Sequence, residues 1–228
     1  MATLKRILLA DDHQIVLDGL RSLLAGEFDL CGTAMDGRQL IELARELQPD
    51  VIVADISMPL LNGIDAVRNL REAGVKAKIV FLTMHLDVTY LSRALEAGAA
   101  AYVVKHAASD ELVTAIGVAL RGGTFLSPQL RTPAVDELLD QTRRHAKSTI
   151  ELTQRQREVL QLLAEGKSAK EIGGHLDISS RTVETHKYKM MDDLGVKTTA
   201  QLVQHAIRLG LVHPSVNLRM PTGMPKQA

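Results

Sequence analysis

Residues 51–55 read VIVAD, four apolar residues closed by an acid. A run this short, apolar on both faces and rich in branched residues, suits a strand in the middle of a parallel sheet, where helices cover both sides. Four similar runs flank it: KRILLA at 5–10 and FDLCGTA at 28–34 before it, KIVFLT at 78–83 and AAYVV at 100–104 after it. Between and after them lie amphipathic stretches with apolar residues three and four apart, at Ile15 to Leu24, Leu40 to Leu47, Ile64 to Leu70, Tyr90 to Leu95 and Glu111 to Leu120. Strand and helix alternating five times predict an α/β fold, a five-stranded parallel sheet wound on both faces. In such folds chemistry gathers outside the carboxyl ends of the strands.

The alternation stops near Gly122, Gly123 and Pro128, and Thr132 to Ser148 is polar apart from a short amphipathic piece at Val135 to Leu139, which reads as a partly helical linker. From Leu152 the pattern is helical only. Thr153 with Gln156 fits a capping box, Val159, Leu160 and Leu163 form an apolar stripe, and Gly166 fits a helix stop. Helices at Ala169 to Leu176, Ser180 to Leu194 and Thr199 to Leu209 follow, with a turn at Asp177 to Ser179. Gly173 and Gly174 stand inside the second helix at about 1 kcal/mol each relative to Ala; a close helix approach would account for the first, and nothing accounts for the second. The last residues, from His213, carry three prolines and little apolar content, which predicts a disordered tail. The expected domains are thus 3–126, a linker 127–148, an all-α four-helix domain 149–212 and a tail 213–228.

Composition agrees with two globular domains in 228 residues: 46% hydrophobic and 24% charged. No run approaches the 18 apolar residues of a membrane span and no signal peptide is legible, so no membrane contact and a cytoplasmic location are expected. The single cysteine, Cys31, reads as a buried thiol. Formal charge is zero overall, yet residues 1–126 hold 12 Lys and Arg against 16 Asp and Glu, and residues 127–228 hold 15 against 11. An acidic half joined to a basic one suggests a nucleic-acid-binding module tethered to something else.

Three carboxylates fall at strand ends, Asp11 and Asp12 after the first and Asp55 after the third. Like charges about 4 Å apart repel by about 4 kcal/mol at an effective dielectric of 20, so such a cluster must hold protons or a cation. Oxygen donors, and few of them, favour magnesium, which keeps several waters and leaves room for a phosphoryl group. Thr83 and Lys105, at the ends of the fourth and fifth strands, add a hydroxyl and an ammonium. Together these make a phosphoryl site.

LLADDH at 8–13, DISMPLLNG at 55–63, the Thr83 that ends FLT and AYVVK at 101–105 resemble the receiver domain of two-component response regulators over the whole first domain, 3–126. The resemblance implies a flavodoxin-like fold in which Asp55 is the phosphoacceptor, taking its phosphoryl group from a phosphohistidine of a sensor histidine kinase. It implies that Asp12, Asp55 and the backbone carbonyl of Ser57 hold Mg2+, with Asp11 reaching it through water, and that Lys105 pairs with the phosphoryl oxygens. Thr83 and Tyr102 would be the switch pair, Thr83 moving to the phosphoryl group and Tyr102 following inward. Ser57 and His85 would flank the path of attacking water. Many receivers have proline after the lysine; this chain has His106.

The stretch LTQRQREVLQLLAEGKSAKEIGGHLDISSRTVETHKYKMMDDLGV at 152–196, with LVQHAIRLGLV at 202–212, resembles the LuxR-type helix-turn-helix domain, and both halves together the NarL/FixJ response regulators. Helix, short turn and helix lay a recognition helix in the DNA major groove. Spacing turns Val183, His186, Met190 and Leu194 inward. Glu184, Thr185 and Tyr188 are left for base edges, and Arg181, Thr182, Lys187 and Lys189 for phosphates. Residues 150–212 carry 9 Lys and Arg against 8 Asp and Glu, so nonspecific attraction is modest. The apolar stripe of Leu202, Val203, Ala206 and Ile207 is expected to be partly core and partly dimer contact.

The expected function is a non-enzymatic transcription regulator whose phosphorylation controls dimerisation and sequence-specific binding to double-stranded DNA, with RNA polymerase as a further partner. The alternative is a DNA-binding regulator whose receiver is a phosphorylation-independent interaction module. A phosphatase with an aspartyl nucleophile would need a second acid two residues after Asp55, where Ser57 stands, and no P-loop or dinucleotide glycine motif occurs.

Overall fold

The computed structural model describes residues 4–84, 86–132, 135 and 152–212, in two compact units divided between Glu151 and Leu152. The expected tail, His85 and the linker beyond Val135 lie outside the described residues.

The first unit is a parallel sheet flanked by helices: β1 (Arg6–Ala10), α1 (Gln14–Leu24), β2 (Asp29–Ala34), α2 (Gly37–Leu47), β3 (Val51–Asp55), α3 (Gly63–Glu72), β4 (Lys78–Thr83), α4 (Val88–Glu96), β5 (Ala101–Val104), α5 (Ala108–Leu120) and β6 (Phe125–Leu126). The strand order is β2-β1-β3-β4-β5-β6, every neighbouring pair parallel. Order reverses between β1 and β3, so a crevice opens where their carboxyl ends part. Side chains alternate between two cores as the period of two demands. Leu8, Ile52, Ala54, Phe81 and Tyr102 join one core with residues of α2, α3 and α4; Ile7, Leu9, Val53, Leu82 and Val103 join the other with residues of α1 and α5.

The sheet has six strands rather than the five expected. A two-residue strand carries no periodicity, and the glycines before it and Pro128 after it read as loop. Behind β6 a single 3-10 turn, Pro128–Leu130, follows, and Leu126, Leu130 and Val135 are buried in the same core as Tyr102. The chain from 127, expected to be linker, therefore begins as part of this unit. Cys31 is only partly buried, its thiol facing the Ile7 carbonyl at 3.3 Å, and burial pushes its pKa up.

The second unit is four helices: α6 (Gln154–Ala164), α7 (Ala169–Leu176), α8 (Ser180–Asp193) and α9 (Thr199–Arg208). Thr153 and Gln156 form the expected capping box, and Gly166 takes a positive φ of 81° after α6. Val159, Leu160, Ile172, Val183, Met190, Leu202 and Ala206 are buried. On α6 it is Leu162 that is fully buried, while Leu163 is half-exposed. Gly173 is buried where a Cβ would stand 2.6 Å from the Ile178 carbonyl, whereas nothing lies within 4 Å of a Cβ at Gly174.

Candidate functional site

At the β1/β3 crevice the strand ends bring Asp11, Asp55 and Lys105 together. Asp11 is 1% and Asp55 5% exposed. The Lys105 ammonium lies 2.6 Å from Asp11 Oδ2 and 2.8 Å from Asp55 Oδ2, bridging β1, β3 and β5. Burial raises the Asp55 carboxyl above the usual range, opposed by the charge and hydrogen bond of Lys105; Asp11 adds to the rise and the Ser57 amide lowers it. Burial also works against the Lys105 ammonium, but the two carboxylates outweigh it and hold its pKa above the ordinary lysine value. A cation thus does here what any ligand of this crevice must do, compensate two buried negative charges.

Asp12, half-buried, turns to His13. The His13 ring Nδ1 is 2.9 Å from Asp12 Oδ1 and 3.2 Å from Asp11 Oδ1, and its backbone N–H donates to Asp11 Oδ1 at 3.0 Å. These three are the group of metal-donor side chains found among the described residues, their donor atoms within 4.8 Å of one another. Asp11 Oδ2 and Asp12 Oδ1 are both buried, the first against the Lys105 ammonium and the second against the His13 ring. Buried carboxylate oxygens gathered this closely suit a hard divalent cation.

The floor of the crevice is set by a close approach. Asn62 caps α3 by accepting from the Asp65 N–H, and Gly63 N–H donates to the Ile56 carbonyl at 2.9 Å. A Cβ on Gly63 would fall 2.0 Å from the Asp55 carbonyl oxygen, so only glycine lets α3 start this close to the end of β3. Thr83 and Tyr102, on adjacent strands, are fully buried and hydrogen-bonded to each other, and burial pushes the Tyr102 phenol far above its usual range. Tyr102 already stands inward here. Ser57 is half-buried. Lys105–Ala107 forms a single 3-10 turn with His106 exposed, and no cis peptide occurs among the described residues.

In the second unit α8 presents most of the expected face. Arg181, Thr185, Tyr188 and Lys189 are exposed, Tyr188 by 63%. Glu184 and Lys187 pair with each other at 2.5 Å, and the ammonium lies 4.9 Å from the centre of the Tyr188 ring. Thr182 is part of the helix start, its hydroxyl 2.8 Å from that of the cap residue Ser179. Of the four residues expected inward, Val183 and Met190 are buried and His186 and Leu194 are half-exposed.

Sequence reasoning passed over His13, although it stands inside LLADDH, because an imidazole beside two carboxylates has no fixed role until its ring is placed. Gly63 was equally visible as the last letter of DISMPLLNG, but the contact that requires it is between distant backbones.

A sheet whose acidic crevice is bridged by a strand-end lysine, joined to a helix-turn-helix unit, defines a class of signal-responsive DNA-binding regulator. The model of the response regulator receiver domain matches residues 7–117, and that of bacterial regulatory proteins of the luxR family matches residues 151–206. The chain is 38% identical over 209 residues to the transcriptional regulatory protein MctR of Rhizobium johnstonii, covering 91% of this chain and 95% of that protein. It is 35% identical over 214 residues to the oxygen regulatory protein NreC of Staphylococcus carnosus, covering 91% and 99%. Among solved structures, the RcsB response regulator of Salmonella typhimurium is similar at TM-score 0.61 and 27% identity, covering 91% of this chain and 99% of that one. A structure of an RcsB–DNA complex is similar at TM-score 0.52 and 28% identity, covering 89% and 98%. The chain belongs to the NarL/FixJ family of response regulators, with a receiver domain and a LuxR-type DNA-binding domain. No helix among the described residues is long and apolar enough to cross a membrane.

Proposed function

We propose that Asp55 is the phosphoacceptor of a two-component system and that its phosphorylation controls dimerisation and operator binding. The observation that carries the reading is the Lys105 ammonium held between Asp11 and Asp55 in the crevice. An oxygen of Asp55 attacks the phosphorus of a phosphohistidine on the sensor kinase; the P–N bond breaks and its electron pair leaves on the imidazole. Lys105, already beside Asp55, pairs with the oxygens of the transferred group, and Thr83 offers its hydroxyl to the same group. Asp11, Asp12 and Asp55, with the Ser57 carbonyl, would hold Mg2+, whose charge offsets that of the phosphoryl oxygens when bound. His13 faces the same carboxylates and restrains them.

The face of Glu184, Thr185 and Tyr188 serves base edges and Arg181, Thr182, Lys187 and Lys189 serve phosphates, on duplex DNA bound by a dimer. RcsB is bound to DNA as dimers in a solved structure, which supports the same assembly for this chain; a contact with RNA polymerase belongs to the same reading. Supported by its relatives' roles as regulators, the chain has no metabolic substrate.

Asp55→Asn tests the acceptor. The amide keeps the shape of the carboxyl but cannot form an acyl phosphate, so labelling by acetyl phosphate with Mg2+ is expected to vanish while the circular dichroism spectrum is unchanged. Persistent labelling of the variant would overturn the assignment.

A further inference from the structure

The chain returns to the site from beyond its expected end. β5 stops at Val104, one residue before Lys105, and among the described residues its outer edge is paired with the two residues of β6. Ser127 N–H donates to the Tyr102 carbonyl at 3.0 Å, and there the ladder runs out, because Pro128 turns the chain into a 3-10 turn. The next donor on that edge, Val104 N–H, is taken by the Ser127 hydroxyl at 2.9 Å. Ser127 is fully buried, and its hydroxyl proton goes to Glu111 Oε2 in the first turn of α5. A hydroxyl carries one proton; with Glu111 accepting it, a lone pair is left facing Val104. One residue therefore binds β5 at Tyr102 with its backbone and at Val104 with its side chain.

We propose that Ser127, oriented by Glu111, is a positioning residue for the phosphoryl site, holding the end of β5 so that Lys105 reaches both Asp11 and Asp55. The proposal rests on the phosphoacceptor reading above. Ser127 lies outside the 7–117 stretch that matches the receiver model. Lys105 must meet two carboxylates on two other strands from the end of a strand whose outer neighbour β6 is two residues long, and shifts of about 1 Å in such groups cost up to about a hundredfold in rate. Removing the hydroxyl leaves the buried Val104 N–H without its side-chain partner and takes a donor from Glu111, and the strand end is free to drift.

The test uses the full chain and acetyl phosphate with Mg2+. Ser127→Ala is expected to lower the saturated labelling rate about tenfold with the half-saturating donor concentration unchanged, and Ser127→Thr, which keeps the hydroxyl, to restore it. In a Lys105→Ala background Ser127→Ala should cost nothing more, since a residue acting through Lys105 has nothing left to place. Should Ser127→Ala not fold, Glu111→Ala, which frees the hydroxyl to rotate, is expected to show the same dependence on Lys105. A labelling rate equal to wild type in Ser127→Ala, or a loss that persists undiminished without Lys105, overturns the proposal. A wild-type chain that does not label overturns the acceptor reading and this proposal with it.

Discussion

Asp55 is a carboxylate kept almost wholly out of water beside a second one, and its charge is tolerated because Lys105 faces both. Burial nonetheless raises its pKa in the folded chain. The folded state therefore holds the Asp55 proton more tightly than the unfolded state does, and the stability this residue contributes falls as pH rises from the ordinary value of 3.8 through the raised one. Asparagine carries no such charge. Without Mg2+, Asp55→Asn is expected to be more stable than wild type at pH 7 by on the order of 1 kcal/mol, and the advantage should shrink as pH falls through the raised value toward 3.8. Urea unfolding at pH 7 and pH 4 checks this; an advantage that grows toward acid would mean that Lys105 overcompensates the burial. The ammonium has the opposite profile. With its pKa raised, its contribution is complete below the unfolded lysine value of 10.5 and is lost only as pH climbs through the raised value, so it persists at neutral pH.

Elements differ in how fully their residues explain them, and α7 contains both extremes side by side. Gly173 is required by the Ile178 carbonyl, and Gly174 faces open space in a helix interior. Gly174→Ala should stabilise the chain by up to about 1 kcal/mol, and Gly173→Ala should destabilise it by about 1 to 3 kcal/mol through overpacking; thermal melts of the two variants decide, and equal shifts would refute the packing argument. On α8 the pair of Glu184 and Lys187 means that neither acts alone. Lys187→Ala strips Glu184 of its partner and leaves a bare negative charge on the face proposed to meet phosphates, so it should weaken binding to all sequences by more than one lost phosphate contact, while Glu184→Ala should change base preference by about 1 to 3 kcal/mol. The double variant should lose less than the two losses added, measured by operator titration at fixed salt; additive losses would mean that the pair does not persist near DNA. These local features separate what could be read from the chain from what could not. VIVAD, KIVFLT and AAYVV announced buried strands because both of their faces are apolar, and the strand-end acids and lysine followed from that order. β6 was hidden because two residues have no period, and Ser127 because a hydroxyl shows its partner only when the backbone beside it ends. His13 and the Glu184–Lys187 pair needed side-chain positions that spacing alone leaves open.

At the scale of the molecule, an acidic half with a built-in charge site is joined to a half that carries only a small positive excess, so control cannot come from electrostatic attraction alone. It needs two states that differ in their contacts. Phosphorylated Asp55 would draw on Thr83, which already shares a hydrogen bond with Tyr102, and Tyr102 lies in the same core as Tyr90 and Leu91 of α4 and as Leu126, Leu130 and Val135 of the chain leading onward. A change at Asp55 therefore has a packed route both to α4 and to the segment that leaves the first unit. If the outcome is receiver pairing, two DNA-binding domains are delivered to one site and the second binds at a raised effective concentration. The full chain loaded with beryllofluoride is then expected to bind its operator more tightly than the untreated chain by at least about tenfold, the gain being lost in Asp55→Asn, while a fragment beginning near Ser148 should bind alike with or without the mimic. Operator affinity of all these samples at one salt concentration is the measurement, because each phosphate contact makes affinity steeply salt-dependent. Equal affinity of the untreated and loaded full chains would show that phosphorylation does not govern DNA binding, and the receiver would then act as an interaction module whose crevice serves another purpose.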